Sequence, residues 1–394
     1  MTPPARTQAA IELLDGILLA AREGGAAADT LIARYFAARR YAGSKDRRAV
    51  RELVYAAIRM AGEMPPSGRA AMMLLADTDE VLATTFDASA HGPTKMIRGE
   101  PRAQPGVAPA WLVKALAASG LPAKAMPALV GRAPLDCRVN TLIATRDDVL
   151  AVLPDAVATP IALAGIRLPA GTNVEQLPLF AGGAIEVQDE GSQLVALAAA
   201  AEPGQLIVDL CAGAGGKTLA LAAAMANQGR IVACDTDRGR LQRLAPRADR
   251  AGVTIVESRL LDPGEEASTL ADLRGQVDTV LVDAPCSGTG TWRRNPEARW
   301  RLNQPRLTRL QATQAHILDT AARLVKPGGA ITYIVCSLLD AEGPAQVTAF
   351  LSRFPGWTAI MPELGAGRPR GAGLRLDPAS DGTDGFFVAR LVAP

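Results

Sequence analysis

From about residue 201 onward, short apolar runs at 206–210, 231–233, 253–256, 277–282 and 331–335 are separated by helical patterns such as 218–225 and 307–325. Unbroken apolar runs suit strands covered on both faces. A helix between consecutive strands returns each one parallel to the last. A further run at 385–391 reads as a terminal strand. This half of the chain is therefore expected to be a doubly wound α/β domain. Sheets of this kind bind ligands in the crevice outside the carboxyl ends of their strands.

Upstream the periodicity is helical. Ile11, Leu14, Leu18 and Leu19 form one stripe, Leu31, Ile32, Tyr35 and Phe36 a second, and Val50, Leu53, Val54 and Ile58 a third. Ser44 is the expected N-cap of the third helix. Prolines and glycines between His91 and Pro109 read as a linker. A chain of 394 residues has room for two or three domains. The expected division is a helical domain at 1–90, a linker at 91–109, a small intermediate α/β module at 110–200 and the sheet domain at 201–394.

Composition narrows the function classes. Lysine and arginine number 42 against 40 acidic residues, so any nucleic-acid surface must be local. Aromatics at 4% do not suit a broad base-stacking platform. The five cysteines contain no C-x-x-C pair, and only His91 and His316 supply imidazole, so no metal site is expected. Widely spaced cysteines in odd number fit reduced thiols in a cytoplasm. The apolar stretch at 11–21 is broken by Glu12, Asp15 and Gly16, too short and polar for a membrane span or secretory signal. A soluble cytoplasmic protein is expected, and nothing in the pattern fixes its oligomeric state.

The strand ends carry the chemistry. The first strand runs into Cys211-Ala212-Gly213-Ala214-Gly215-Gly216-Lys217, a turn in which glycines let the backbone approach a ligand at a helix start. A Walker A loop would need glycine where Cys211 stands, and G-x-G-x-x-G would need it at Thr218, so both phosphate motifs fail. That favours a nucleoside ligand without phosphates, S-adenosylmethionine foremost. Asp235 ends the second strand, placed for ribose hydroxyls or simply as a helix cap. Asp283 ends the fourth.

Two cysteines stand at the same edge, Cys286 in Asp283-Ala284-Pro285-Cys286-Ser287-Gly288-Thr289-Gly290 and Cys336 in Val335-Cys336-Ser337. A single cysteine usually just packs. A pair at one ligand-binding edge suggests covalent catalysis, although spacing does not assign their roles. After Cys286 comes a stretch holding Arg293, Arg294, Arg299, Arg301, Arg306 and Arg309 with Trp292 and Trp300. Arginine forks suit phosphates and indole faces suit an extruded base, against the plainer reading of a solvated loop anchored by its tryptophans.

These motifs, with Arg138-Val139-Asn140-Thr141, Gln188-Asp189-Glu190 and Lys326-Pro327-Gly328-Gly329, resemble the RsmB/Sun family of RNA 5-methylcytosine methyltransferases over residues 105–394. The resemblance implies a Rossmann-like methyltransferase sheet, S-adenosylmethionine as cofactor, Cys336 as nucleophile and Cys286 as the residue that releases product. It places Cys211 to Lys217, Asp235, Asp262 and Asp283 at the cofactor, with the cytosine edge an alternative for Asp283. Arg138, Asn140, Arg293 and Arg294 are its candidates for RNA. The helical region with Arg40-Tyr41-Ala42-Gly43-Ser44 resembles the NusB-like domain of bacterial members, which favours 16S ribosomal RNA. Transfer RNA is the rival substrate, and a non-catalytic RNA-binding or ribosome-assembly factor the rival class. The loop departs from the family's Ala-Ala-Pro-Gly-Gly-Lys by lacking proline, and Asp262 falls late for the acid that follows the third strand.

Overall fold

The computed structural model describes every residue, Met1–Pro394, in two compact units: Met1–Arg132 with Thr291–Gln304, and Ala133–Gly290 with Pro305–Pro394.

In the first unit the three amphipathic stripes fold as α1 (Pro3–Glu23), α2 (Ala28–Ala37) and α3 (Ser44–Met60), joined by α4 (Gly68–Ala76) and the short α5 (Glu80–Ala83). Leu14 and Ile17 of α1, Val54 and Ile58 of α3, and Met72 and Met73 of α4 share one core. Thr2 caps α1 ahead of Pro3, and Gly24 ends it in the left-handed conformation. Gly43, not Ser44, is the N-cap of α3, and no side chain caps that end.

Residues 91–109 are not a free linker. The Gly62 N–H donates to the Gln104 carbonyl, Ala103 N–H to Ala70, and Gly106 N–H to Met60, while Arg69 pairs with Glu100. Proline prevents helix here, but the remaining backbone groups find partners on the bundle. With α6 (Ala110–Ala118) following, the division falls after Arg132 instead of at residue 110.

The second unit opens with an antiparallel sheet of order β2-β3-β1-β4, from β1 (Leu135–Val139), β2 (Val157–Ala158), β3 (Gly165–Leu168) and β4 (Ile185–Val187). Three helices accompany it: α7 (Arg146–Val152), α8 (Pro178–Ala181) and α9 (Glu190–Leu197). A capping box between Thr145 and Asp148 starts α7.

The larger sheet follows. Its parallel strands are β5 (Leu206–Asp209), β6 (Arg230–Asp235), β7 (Val256–Leu260), β8 (Val277–Asp283) and β9 (Val325–Val335). Between them lie α10 (Gly216–Ala224), α11 (Arg238–Leu241), α12 (Leu244–Arg250), α13 (Glu266–Thr269) and α14 (Gln304–Leu324). After α15 (Pro344–Arg353) come β10 (Thr358–Ile360), β11 (Arg368–Arg370), β12 (Gly373–Leu376) and β13 (Phe386–Val392). The order is β11-β12-β13-β9-β8-β5-β6-β7, with β10 against β13, and β10 to β13 are antiparallel. Successive connections run one way from β5 through β6 to β7, and the other way from β8 to β9. The order therefore reverses between β5 and β8, and the crevice opens there.

The run expected as a strand at 253–256 begins later, because Gly252 (φ +67°) ends α12 and the Val253 N–H returns to the Ala248 carbonyl. In β9 the register against β8 shifts between Val277 and Thr279, which lets Lys326-Pro327-Gly328-Gly329 join the strand. No helix is long and apolar enough to cross a membrane.

Candidate active site

β5 ends at Asp209, and the chain turns through Gly213 (φ +56°) and Gly215 (φ +87°) before α10 begins at Gly216. The φ of Gly215 favours glycine, and a Cβ there would also push the Leu244 side chain aside. Three attachments hold the loop. Asp235 Oδ2 accepts the Gly213 N–H at 2.7 Å, Ala212 N–H donates to the Cys234 carbonyl, and Arg247 donates to the Ala214 carbonyl at 2.5 Å. Arg247 is itself paired with Glu186 of β4. The small sheet thus fastens the loop that lacks the family's proline.

Beside this loop lies a cavity of about 780 Å³ at the carboxyl ends of β5, β6, β8 and β9. Cys211, Asp235, Asp283, Cys286 and Cys336 all line it. The two catalytic candidates are neighbours, with Cys286 Sγ 3.3 Å from Cys336 Sγ. Lys217 reaches over from α10 to Asp283, Nζ to Oδ2 at 2.5 Å. Burial alone lowers the Lys217 pKa, but Asp283 and the charge on Cys336 outweigh it and raise it above the ordinary value. The ammonium therefore persists, a cation near the cysteine pair.

The thiols differ. The hydrogen bond to Cys336, then burial, and then the charges of Cys336 and Glu342 hold Cys286 well above an ordinary thiol. Cys286 therefore keeps its proton at neutral pH while Cys336 stands beside it. Burial pushes Cys211 well up and takes Cys137 and Cys234 to about 12, so those three remain inert thiols.

Beneath the loop, Asp209 is fully enclosed. Thr218 donates to its Oδ2 at 2.7 Å, while Oδ1 is without a partner. Burial raises its pKa to about 7. An acid raised on folding takes up a proton when the chain folds, so its contribution to stability falls as pH rises from about 4 to about 7 and levels above. Asp209→Asn is therefore expected to gain stability over the wild type progressively across that window. Paired thermal melts at pH 4.5, 6 and 8 check this, and a constant gap between the two proteins would contradict it.

Several side chains expected at the site lie elsewhere. Asp262 is exposed and outside the cavity wall, whereas Glu266 at the start of α13 lines it and pairs with His316 of α14 at 3.5 Å. Backbone amides and His316 hold Glu266 low despite partial burial, which acts the other way. Asn140 is buried, donating to the Gly183 and Ala251 carbonyls and accepting from the Leu142 N–H. Arg138 is buried too, with Nε on Gln188 and a pKa lowered to about 10 by burial. These two side chains hold the small sheet in place of the displayed RNA contact that was expected.

The arginine–tryptophan stretch turns inward as well. Trp292 is fully buried, Arg293 is buried and Arg294 half-buried. Trp300 sits in the helical core with its indole N–H on the Gly62 carbonyl at 3.1 Å. Arg299, fully buried, donates to the Ile58 and Ala61 carbonyls at 2.5 and 2.7 Å, and Arg301 to Gly25 and Ala26. The Ile58 and Ala61 carbonyls stand at the end of α3, where cations satisfy unpaired acceptors well, and Gly25 and Ala26 lie in the turn between α1 and α2. The tryptophans anchor the segment and offer no stacking face.

Residues 196–392, with both cysteines and the glycine loop, match the family described as 16S rRNA methyltransferase RsmB/F. The chain belongs to this family. A ribosomal RNA small subunit methyltransferase B from Salmonella arizonae is 36% identical over 291 residues, 72% of this chain and 66% of that protein. A probable ribosomal RNA small subunit methyltransferase B from Synechocystis sp. is 37% identical over 270 residues, 65% of this chain and 59% of its own. The aligned part thus spans three-fifths to two-thirds of these relatives. The solved structure of PH0851 shares the fold across 99% of both chains, with a TM-score of 0.79 at 24% identity.

S-adenosylmethionine is the methyl donor of RsmB/F proteins, and the residues present fit it. A side chain at Gly213 would run into Arg240 in the cavity wall, Leu210 and Leu261 give apolar walls, and Asp235 and Asp283 supply carboxylates for a cationic, hydroxyl-bearing nucleoside.

Proposed function

We propose that the protein methylates carbon 5 of a cytosine in RNA, 16S ribosomal RNA being the favoured substrate, through a covalent adduct on Cys336. The observation that carries this reading is the sulfur pair: two thiols 3.3 Å apart in the wall of the cofactor cavity, beside the Lys217–Asp283 ion pair. Carbon 5 of cytosine is a weak nucleophile. Thiolate addition at carbon 6 makes it enamine-like and able to attack. S-adenosylmethionine, when bound, supplies an electrophilic methyl group.

The chain's own groups divide the remaining work. Lys217 keeps a positive charge near the cysteine pair, and its bond to Asp283 fixes where that charge stands. Cys286 and Cys336 share a hydrogen bond between their sulfurs at 3.3 Å. In the adduct Cys336 is a neutral thioether, so its hydrogen bond and charge no longer raise the Cys286 pKa. Cys286 as a thiolate takes the carbon 5 proton, the carbon–sulfur bond breaks, and the electron pair of that bond returns to the Cys336 sulfur. A base attacked on its ring must leave its stack, so the target cytosine is unpaired or flipped. The names borne by the relatives support small-subunit ribosomal RNA.

The test is incubation with radiolabelled S-adenosylmethionine and, separately, 16S ribosomal RNA and bulk transfer RNA, followed by nucleoside analysis. Label in 5-methylcytidine of 16S RNA is the expected result. Label only in transfer RNA would move the substrate, and no label in either would favour a binding factor without activity.

A further inference from the structure

The loops behind the two cysteines converge on one enclosed carboxyl group. Glu342, in the turn between β9 and α15, is fully buried. Its Oε1 accepts the Ser287 N–H at 2.8 Å and the Gln314 side-chain amide at 3.0 Å. Its Oε2 accepts the Ser337 hydroxyl at 2.6 Å and the Ser287 hydroxyl. Ser287 follows Cys286 and Ser337 follows Cys336, so one carboxyl grips the residue next to each sulfur. Gln314 spends its other amide hydrogen on the Pro285 carbonyl at 2.9 Å, which holds Cys286 from its other side. Between the loops, Leu338 N–H donates to Thr289 Oγ1 at 2.8 Å, and Gly290 N–H donates to the Cys336 carbonyl. The Tyr333 hydroxyl fixes the Glu342 backbone carbonyl at 2.6 Å.

Burying a carboxyl among neutral donors costs free energy that an apolar core would not. Four donors converge on it and occupy both carboxyl oxygens. We infer that Glu342 is a positioning residue of the methyl-transfer reaction, setting the separation of the Cys286 and Cys336 sulfurs by tying together the serines that follow them. The inference rests on the proposed cysteine chemistry. It adds a residue that touches neither substrate nor cofactor, acts through Ser287 and Ser337, and keeps a negative charge on the Cys286 side of the pair.

Glu342→Gln puts an amide donor where Ser287 and Ser337 already donate, whereas Glu342→Asp keeps the charge on a shorter stem. Two readouts in the full chain test the inference: alkylation rates of Cys286 and Cys336 by iodoacetamide between pH 6 and 9, resolved by mass spectrometry, and kcat and KM for methyl transfer. Glu342→Gln is expected to change the ratio of the two alkylation rates several-fold and to lower kcat about 10- to 100-fold, with the KM for S-adenosylmethionine within about twofold. Glu342→Asp should recover part of both. Alkylation ratio and kcat unchanged in Glu342→Gln would overturn the inference, as would equal losses in both variants that track a fall in melting temperature. If Glu342→Gln does not fold, Ser337→Ala is read by the same two measures, and wild-type values there would also overturn it. A wild type with no methyl transfer would sink the proposed reaction, while the alkylation ratio would still decide whether Glu342 sets the pair.

Discussion

Cys336→Ala is expected to lower methyl transfer by at least about 1,000-fold, because without an adduct at carbon 6 nothing activates carbon 5. Cys286→Ala should behave differently. Its thiol stands 3.3 Å from the proposed nucleophile and its pKa is held well above the ordinary thiol value, so its loss should spare adduct formation and slow release. Incubated with RNA and S-adenosylmethionine, Cys286→Ala should accumulate a protein–RNA species that survives denaturing electrophoresis, and Cys336→Ala should give none. The reverse pattern would exchange the roles of the two cysteines. Equal activity in both variants would remove covalent catalysis altogether.

The second large effect concerns Arg299. Its guanidinium satisfies the Ile58, Ala61 and Pro296 carbonyls inside the helical unit and lies 4.8 Å from the centre of the Trp300 ring. Arg299→Ala leaves three buried acceptors without donors and opens a void. The expected cost is about 3–5 kcal/mol, taking roughly 1–3 kcal/mol for each abandoned group and allowing for partial relaxation. Arg299→Lys should rescue little, since one ammonium cannot reproduce the planar fork. Hydrogen exchange reads the result locally, as lost protection of amides at the end of α3. Wild-type protection in Arg299→Ala would show that the clasp contributes nothing.

Much of this architecture is legible from the chain itself, for identifiable reasons. Parallel strands covered on both faces are unbroken apolar runs, so β5, β6, β8 and β9 stand out. Their ends carry Asp209, Asp235, Asp283 and Cys336, which locates the crevice. What escapes notice are interactions between residues remote in sequence. Arg293, Arg294, Arg299 and Arg301 read as a basic surface because composition does not reveal which helix ends lie nearby. Arg138 and Asn140 are RNA candidates through the family resemblance alone, and their buried partners Gln188, Gly183 and Ala251 lie 50, 43 and 111 positions away. Glu266 sits four residues beyond Asp262, and only the path of the turn into α13 brings it to the cavity with His316. Glu342 has no local signature at all, since an acid shortly after a strand ordinarily reads as a solvated turn. Ser337 is near in sequence, but Ser287 and Gln314 come from segments 55 and 28 positions away, distances no periodicity spans.

The membership of Thr291–Gln304 in the helical unit constrains how the protein is made. A ribosome delivers the five N-terminal helices early, yet the Trp300 indole that joins their core and the Arg299 guanidinium beside it arrive only after β5 to β8 have been synthesised. Until then, the carbonyls ending α3 lack their donor and the bundle lacks Trp300. Folding in the order of synthesis, the usual course for separate domains, is unavailable to this bundle. A nascent chain stalled before residue 291 should hold its first helices in a loosened, protease-sensitive form, and firm up within the next few residues of elongation.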